Sequence, residues 1–353
     1  MEIREYPVPE PGPGAILIRV SIANICGSDL HIWRGDMNLA QLGASLPTVL
    51  GHEMTGRVTK LGEGISTDSA GQPLAIGDRV VYSYFYPCGR CPACLKGNHA
   101  ACPRNMLLAR PSESPPHFVG AFADYYYLRP NHTIFKVPDD LSDQVVASAN
   151  CALSQVIYGL EKVNLRFGET IVVQGVGGLG ISAIAVAREM GAHRVIAIDG
   201  IPQRLELAMA FGADELIDMR QFKTPQERVQ RVKELTRGWG ADVVVELVGL
   251  HDAIPEGLDM LCHGGRYLEM GNVSPAHGTF EVDPALLVMR SKSIFCVTVY
   301  GRDTLKKALN FLSRTKDKYP FDRIVSRYYP LEEINKAFEE QDNGLVSRAA
   351  IVL

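Results

Sequence analysis

The sequence has 353 residues, a length that suggests about two domains. Its 36 basic and 40 acidic residues leave a net charge of −4, so no basic excess recruits nucleic acid, and 46% hydrophobic with 22% charged residues excludes wholesale disorder. Eight cysteines in a chain this long are too few for a disulfide scaffold.

Met1 to Glu5 is charged and is followed by Pro7, Pro9, Pro11 and Pro13, which leaves no apolar secretory stretch. No apolar run approaches the roughly 18 residues of a membrane span. A cytoplasmic protein with reduced thiols and no membrane partner is expected. Residues 15–22, 55–61 and 78–82 read as strands, and the frequent Gly and Pro between them predict a mainly β domain with long loops. The texture changes after about residue 153. Strands at 170–174, 194–199, 214–218 and 241–248 alternate with helices at 181–190, 202–211 and 225–236, which predicts a parallel, doubly wound sheet. Residues 266–270 and 293–299 extend it. The last fifty residues are expected to hold one amphipathic helix, 304–312, and a terminal apolar strand, 348–353, that returns to the first domain.

Gly175-Val176-Gly177-Gly178-Leu179-Gly180 directly follows one predicted strand and opens a helix. In that setting the pattern reads as a dinucleotide loop. Gly175 permits the tight turn, Gly177 lets the backbone approach a pyrophosphate, and Gly180 lets helix and strand pack closely. The unpaired N–H groups of the first helical turn, around Gly178 and Leu179, offer partial positive charge to the phosphates. Asp199 closes the second strand nineteen residues after Gly180. Its carboxylate there would accept from ribose hydroxyls and repel a 2′-phosphate, which favours NAD over NADP. Arg204 is the nearest following cation. The competing reading is a bare strand–helix turn in a nucleotide-free fold.

Cys88, Cys91, Cys94 and Cys102 fall within fifteen residues. Four sulfurs with no open position describe a closed tetrahedral zinc site, which can contribute on the order of 10 kcal/mol to local folding. Free thiols or disulfides are the alternative. A second set is dispersed: Cys26 in Cys26-Gly27-Ser28-Asp29-Leu30-His31, His52 and Glu53 after Gly51, and Cys151. Sequence distance alone cannot bring these together, and singly Cys151 reads as a buried thiol and His52 as an ordinary hydrogen-bonded histidine. Cys262 and Cys296 are expected to be buried thiols of the sheet strands.

Taken in order, the Cys26–His31 segment, Gly51-His52-Glu53, Gly77-Asp78-Arg79-Val80, the four-cysteine lobe, Asn150-Cys151 and the glycine loop resemble the zinc-dependent medium-chain alcohol dehydrogenase family of the medium-chain dehydrogenase/reductase superfamily. The resemblance covers nearly the whole chain. It implies an α/β plus β fold: a GroES-like catalytic domain formed by residues 1–152 and 297–353, with the zinc lobe at 86–104. Into it is inserted a Rossmann NAD-binding domain at 153–296, and a catalytic zinc lies in the cleft between the two. Cys26, His52 and Cys151 would be the catalytic zinc ligands, with Glu53 behind the metal or as an alternative ligand. Asp29 would fix the tautomer of His52. Ser28 and His31 match the family's proton relay, Arg348 a basic residue facing the pyrophosphate, and Gly271 and Asn272 the surroundings of the nicotinamide.

The cofactors implied are two zinc ions per chain and NAD. The substrate implied is a small-molecule primary or secondary alcohol, or its aldehyde or ketone in reverse. Cys151 stands where the polyol and threonine branches generally use a carboxylate, which tilts the reading to an ordinary alcohol dehydrogenase. A polyol or cyclic-alcohol dehydrogenase is the alternative, and a non-catalytic zinc- and NAD-binding relative is a third reading. Residues 38–47 and 110–118 carry no motif diagnostic of substrate. Gly27 stands where some relatives hold an arginine toward the pyrophosphate, and the family's strand preceding the first motif is expected to be missing. The family norm and the strand around 293–300 imply a homodimer or homotetramer.

Overall fold

In the computed structural model, residues Ile16–Asn24 form strand β1, whose isoleucines, leucine and valine are all buried. The structure describes all residues except 41–44, 106–110 and 275–277, so parts of the two stretches 38–47 and 110–118 lie outside it. The chain divides into two units, Met1–Ser154 with Gly301–Leu353, and Gln155–Tyr300.

In the first unit β1 pairs with β2 (Glu53–Leu61), which continues to β3 (Arg79–Tyr82) and β5 (Ile134–Lys136), while β4 (Tyr125–Leu128) also pairs with β1. The terminal apolar strand β13 (Ala349–Val352) runs antiparallel to β1 with Asn24 opposite Ala350, and β12 (Arg327–Pro330) pairs with β13 in parallel. Short helices α1 (Gly27–Arg34), α2 (Pro92–Leu95) and α3 (Asp143–Val146) interrupt the strands. Helix α4 (Ser154–Lys162) leads out of the unit, and α10 (Thr304–Thr315) returns to it. A second helix, α11 (Ile334–Asp342), corrects the expectation of one helix in the last fifty residues. Its buried residues Ile334, Ala337 and Phe338 follow the i, i+3, i+4 spacing of a helix face, but nine residues with charged flanks give a weak periodic signal.

The second unit is a parallel sheet in the order β11-β10-β9-β6-β7-β8. Its strands are β6 (Thr170–Gln174), β7 (Arg194–Asp199), β8 (Glu215–Asp218), β9 (Ala241–Glu246), β10 (Leu261–Glu269) and β11 (Ser293–Cys296). Helices α5 (Gly178–Glu189), α6 (Pro202–Ala210), α7 (Pro225–Leu235), α8 (Ala253–Met260) and α9 (Pro284–Met289) alternate with them. The order reverses between β6 and β9, and such a reversal opens a crevice at the carboxyl ends of the strands. Two cysteines differ from expectation. Cys262 is half-buried, and Cys296 is exposed because β11 is an edge strand with one side unpaired. No helix among the described residues is long and apolar enough to cross a membrane.

Candidate metal centres and dinucleotide loop

Three separate segments of the first unit bring donor atoms of Cys26, His52, Glu53 and Cys151 within 4.8 Å of one another, all in buried residues. Cys26 stands before the first turn of α1, where its N–H donates to Asp29 Oδ2 at 3.0 Å. The other Asp29 oxygen faces His52 Nδ1 at 3.2 Å. One fully buried carboxylate therefore caps the helix and orients the imidazole, leaving Nε2 toward the cluster. Gly51 precedes His52 with φ +89°, and a Cβ there would meet Phe122 at 2.9 Å, so only glycine turns the chain into β2 at this point.

Cys151 lies in a one-turn π-helix, 149–153, ahead of α4, a rare geometry that recurs at functional sites. The neighbouring Asn150, fully buried, fixes the turn: its Nδ2 donates to the Tyr82 carbonyl at 2.9 Å and its Oδ1 accepts from Met54 N–H at 3.4 Å. Asn150 had no role assigned by its sequence alone. Nor had Tyr84, whose ring lies 5.1 Å from that of His52 and shields one side of it.

Ser28 Oγ is 3.3 Å from His52 Nε2, so its hydroxyl sits on the ligand side of the ring. His31, one helical turn further on, faces Asp36, with 3.2 Å between Nδ1 and Oδ2. The resemblance turns Arg348 toward a pyrophosphate; the structure gives its buried guanidinium to the Glu53 carboxylate instead. Glu53 Oε1 remains buried without a partner.

The electrostatics match a cation-binding cluster. The neighbouring Cys151 thiol, donating to Cys26, holds the Cys26 thiol well below its ordinary pKa, and the same contact together with burial pushes Cys151 up. Burial opposes charge on His52, yet Asp29 and Cys26 hold its pKa well above the usual value. Burial lifts Glu53 to about 7 against the pull of Arg348. Two soft sulfurs, an oriented imidazole and an unpartnered carboxylate oxygen fit zinc with a position left open.

The lobe presents the other arrangement. Donor atoms of Cys88, Cys91, Cys94 and Cys102 also lie within 4.8 Å of one another, with Cys91 and Cys102 sulfurs 3.8 Å apart. The Cys94 N–H donates to Cys91 Sγ at 3.5 Å and the Cys88 N–H to Cys102 Sγ at 3.4 Å, bonds that favour thiolates. Backbone N–H donation from Arg90 draws Cys88 down to about 6, whereas burial pushes Cys94 up to about 12. Among the described residues only Ala93 joins the four cysteines in their apolar cluster, which suits a metal in place of an apolar core.

In the second unit the glycine loop joins β6 to α5. Gly175 has φ +86°, and a Cβ on Gly180 would lie 2.1 Å from the Gly175 carbonyl, so both positions demand glycine. A Cβ on Gly177 would meet nothing within 4 Å, which leaves open space in front of the helix N-terminus for a phosphate. Gly178 and Leu179 form the first turn of α5. Asp199 accepts from Val176 N–H and Ile201 N–H, both at 2.8 Å, and Arg204 stands 3.8 Å from it. Gly271 and Asn272 follow β10, where Asn272 Nδ2 donates to Glu246 and Glu269 at 3.2 and 3.3 Å.

Residues 12–139 match the family model described as alcohol dehydrogenase GroES-like domain, and residues 178–314 match the one described as zinc-binding dehydrogenase. The chain is 33% identical over 352 residues to 5-exo-hydroxycamphor dehydrogenase of Pseudomonas putida, covering 99% of this chain and 95% of that protein. It is 29% identical over 346 residues to L-threonine 3-dehydrogenase of Francisella tularensis, with 97% and 93% covered. The crystal structure of an alcohol dehydrogenase from Thermotoga maritima superposes with a TM-score of 0.91 at 29% identity, over 99% of this chain and 94% of that one.

Proposed function

The chain belongs to the zinc-dependent medium-chain alcohol dehydrogenase family, and on that premise we propose that it transfers hydride between a primary or secondary alcohol and NAD. The observation that carries this reading is the convergence of Cys26, His52, Cys151 and Glu53 on one buried point. Cys26, His52 and Cys151 would hold a catalytic zinc and the four lobe cysteines a structural one. Zinc with an exchangeable position supplies Lewis acidity and lowers the pKa of a bound hydroxyl. NAD supplies the hydride acceptor.

The chain's own residues do the rest. Asp29 keeps Nδ1 of His52 protonated, so Nε2 offers its lone pair to the metal. Ser28 Oγ, at the ligand side of His52, would take the alcohol proton, and His31, on the same helix and paired with Asp36, would be the outer group of the relay. Arg348 pairs with the Glu53 carboxylate beside the cluster that would hold the metal, and the Tyr84 ring packs against the His52 imidazole. The loop Gly175–Gly180 would take the pyrophosphate, Asp199 and Arg204 the adenosine ribose, and Gly271 and Asn272 the surroundings of the nicotinamide. Asp199 favours NAD over NADP. The exposed edge of β11, beside exposed Leu286, Val288 and Met289 of α9, supports association with a second copy into a homodimer or homotetramer.

The test is steady-state NADH formation across aliphatic, cyclic and polyhydroxy alcohols. Aliphatic or simple secondary alcohols should turn over with NAD. The relative named 5-exo-hydroxycamphor dehydrogenase favours a second reading, a cyclic secondary alcohol. Preference for cyclic substrates would select it, and turnover confined to polyols would overturn both.

A further inference from the structure

Glu246 and Glu269 end the adjacent parallel strands β9 and β10 and lie directly opposite each other in register. Glu246 is fully buried, and both carboxylates reach the same amide nitrogen, Asn272 Nδ2. Glu269 Oε1 also accepts from Asn272 N–H at 2.9 Å, while its Oε2 is buried without a partner. Burial disfavours charge on Glu246, and the second carboxylate opposite it adds repulsion, so Glu246 keeps its proton well above the usual carboxylate range.

The pair holds two loops. Glu246 Oε1 accepts from the N–H groups of Val248 and Gly249 at 2.6 and 2.7 Å, fixing the loop after β9. The loop after β10 is fixed through Asn272. The two loops touch: a Cβ on Gly249 would lie 2.8 Å from the Gly271 carbonyl, and one on Gly271 would lie 2.4 Å from Glu246 Oε2. The first loop in turn packs on the dinucleotide loop, since a Cβ on Gly175 would strike Val248 Cγ2 at 2.8 Å. Leu247 N–H donates to the Gln174 carbonyl at 2.9 Å, completing the connection.

We propose that Glu246 and Glu269 are positioning residues, that Glu246 carries a proton where it lies opposite Glu269, and that loss of this proton loosens the two loops and weakens dinucleotide binding. The inference rests on the dinucleotide reading only for its second half. Burial, reinforced by the charge of Glu269, pushes Glu246 up to about 8, which sets the pH at which the clasp opens. Among the described residues, the titratable groups around the pair include Tyr267 of β10, whose hydroxyl donates to Gln174, and Cys296 of β11, in register with Glu269. Glu256 of α8 is paired with Arg228 of α7 at 2.6 Å, and His251, on the way to α8, with Asp252 at 3.1 Å. Among these described groups the cation Arg228 is thus already committed to Glu256.

The experiment uses the full zinc-loaded chain and has two arms. Amide hydrogen exchange over residues 247–250 and 270–273, without cofactor, is followed from about pH 6.5 to about pH 9.5 and corrected for intrinsic rates. Protection should fall about tenfold in the wild type and stay level in Glu269→Gln, where no second carboxylate competes for the proton. The NADH dissociation constant should rise about tenfold over the same range in the wild type and remain flat in the variant. Constant protection in the wild type, or an unchanged pH profile in Glu269→Gln, would overturn the proposal. The wild-type exchange arm needs neither variant nor cofactor. Failure to bind NADH at any pH, with the exchange step intact, would instead sink the dinucleotide reading.

Discussion

At the scale of single residues, the candidate centre depends on side chains that carry more than one task. Asp29 caps α1 with one oxygen and orients His52 with the other. Asp29→Asn keeps the shape but removes the charge behind the imidazole, and zinc affinity or turnover should fall about 10- to 100-fold, read by metal titration and NADH formation. Asp199→Ala removes the carboxylate that would repel a 2′-phosphate, so the ratio of NAD to NADP efficiency should drop toward unity; an unchanged ratio would take Asp199 out of that role. Glu246 gives a stability prediction of definite sign. Its pKa rises from 4.5 in an unfolded chain to about 8, so the folded state keeps the extra proton. The stability this adds is complete below about pH 4.5 and is lost as pH climbs toward 8. Melting curves across that window should show a decline that Glu246→Gln flattens.

At the scale of elements, what was legible in the sequence was what is local in it. The glycine loop and the cysteine lobe each lie within about a helix or two of chain, and their spacing alone points to phosphate and metal. The lobe yields a direct prediction: Cys94→Ser should release one metal and open residues 86–104 to proteolysis, because among the described residues only Ala93 adds apolar packing to the cysteines. Longer-range placement was not legible. Cys151 joins Cys26 only because Asn150 ties a π-turn to β2 and β3. Arg348 reaches Glu53 through the pairing of β13 with β1, which no spacing announces. Helix α8 carries Pro255 and Gly257, which read as breakers. Yet Pro255 falls in the first turn, and a Cβ at 257 would lie 2.4 Å from Gln174 and Tyr267. The exposure of Cys296 follows from strand order, and strand order is set by tertiary packing rather than by the strand's own apolar residues.

At the scale of the whole molecule, the alternation of strands and helices after residue 153 was enough to anticipate a parallel sheet, and the family models match on either side of that change. The chemistry divides along the same line: every donor of both cysteine clusters lies in the unit formed by Met1–Ser154 and Gly301–Leu353, and the glycine loop in Gln155–Tyr300. On the proposed reading, one cysteine cluster serves structure and the other serves catalysis. Zinc content per chain, measured on the wild type and on Cys26→Ser with alcohol-dependent NADH formation from the same samples, tests it most directly. Two zinc ions are expected in the wild type and one in the variant, with activity lost along with the second ion. One zinc in both proteins, or full activity in Cys26→Ser, would contradict it.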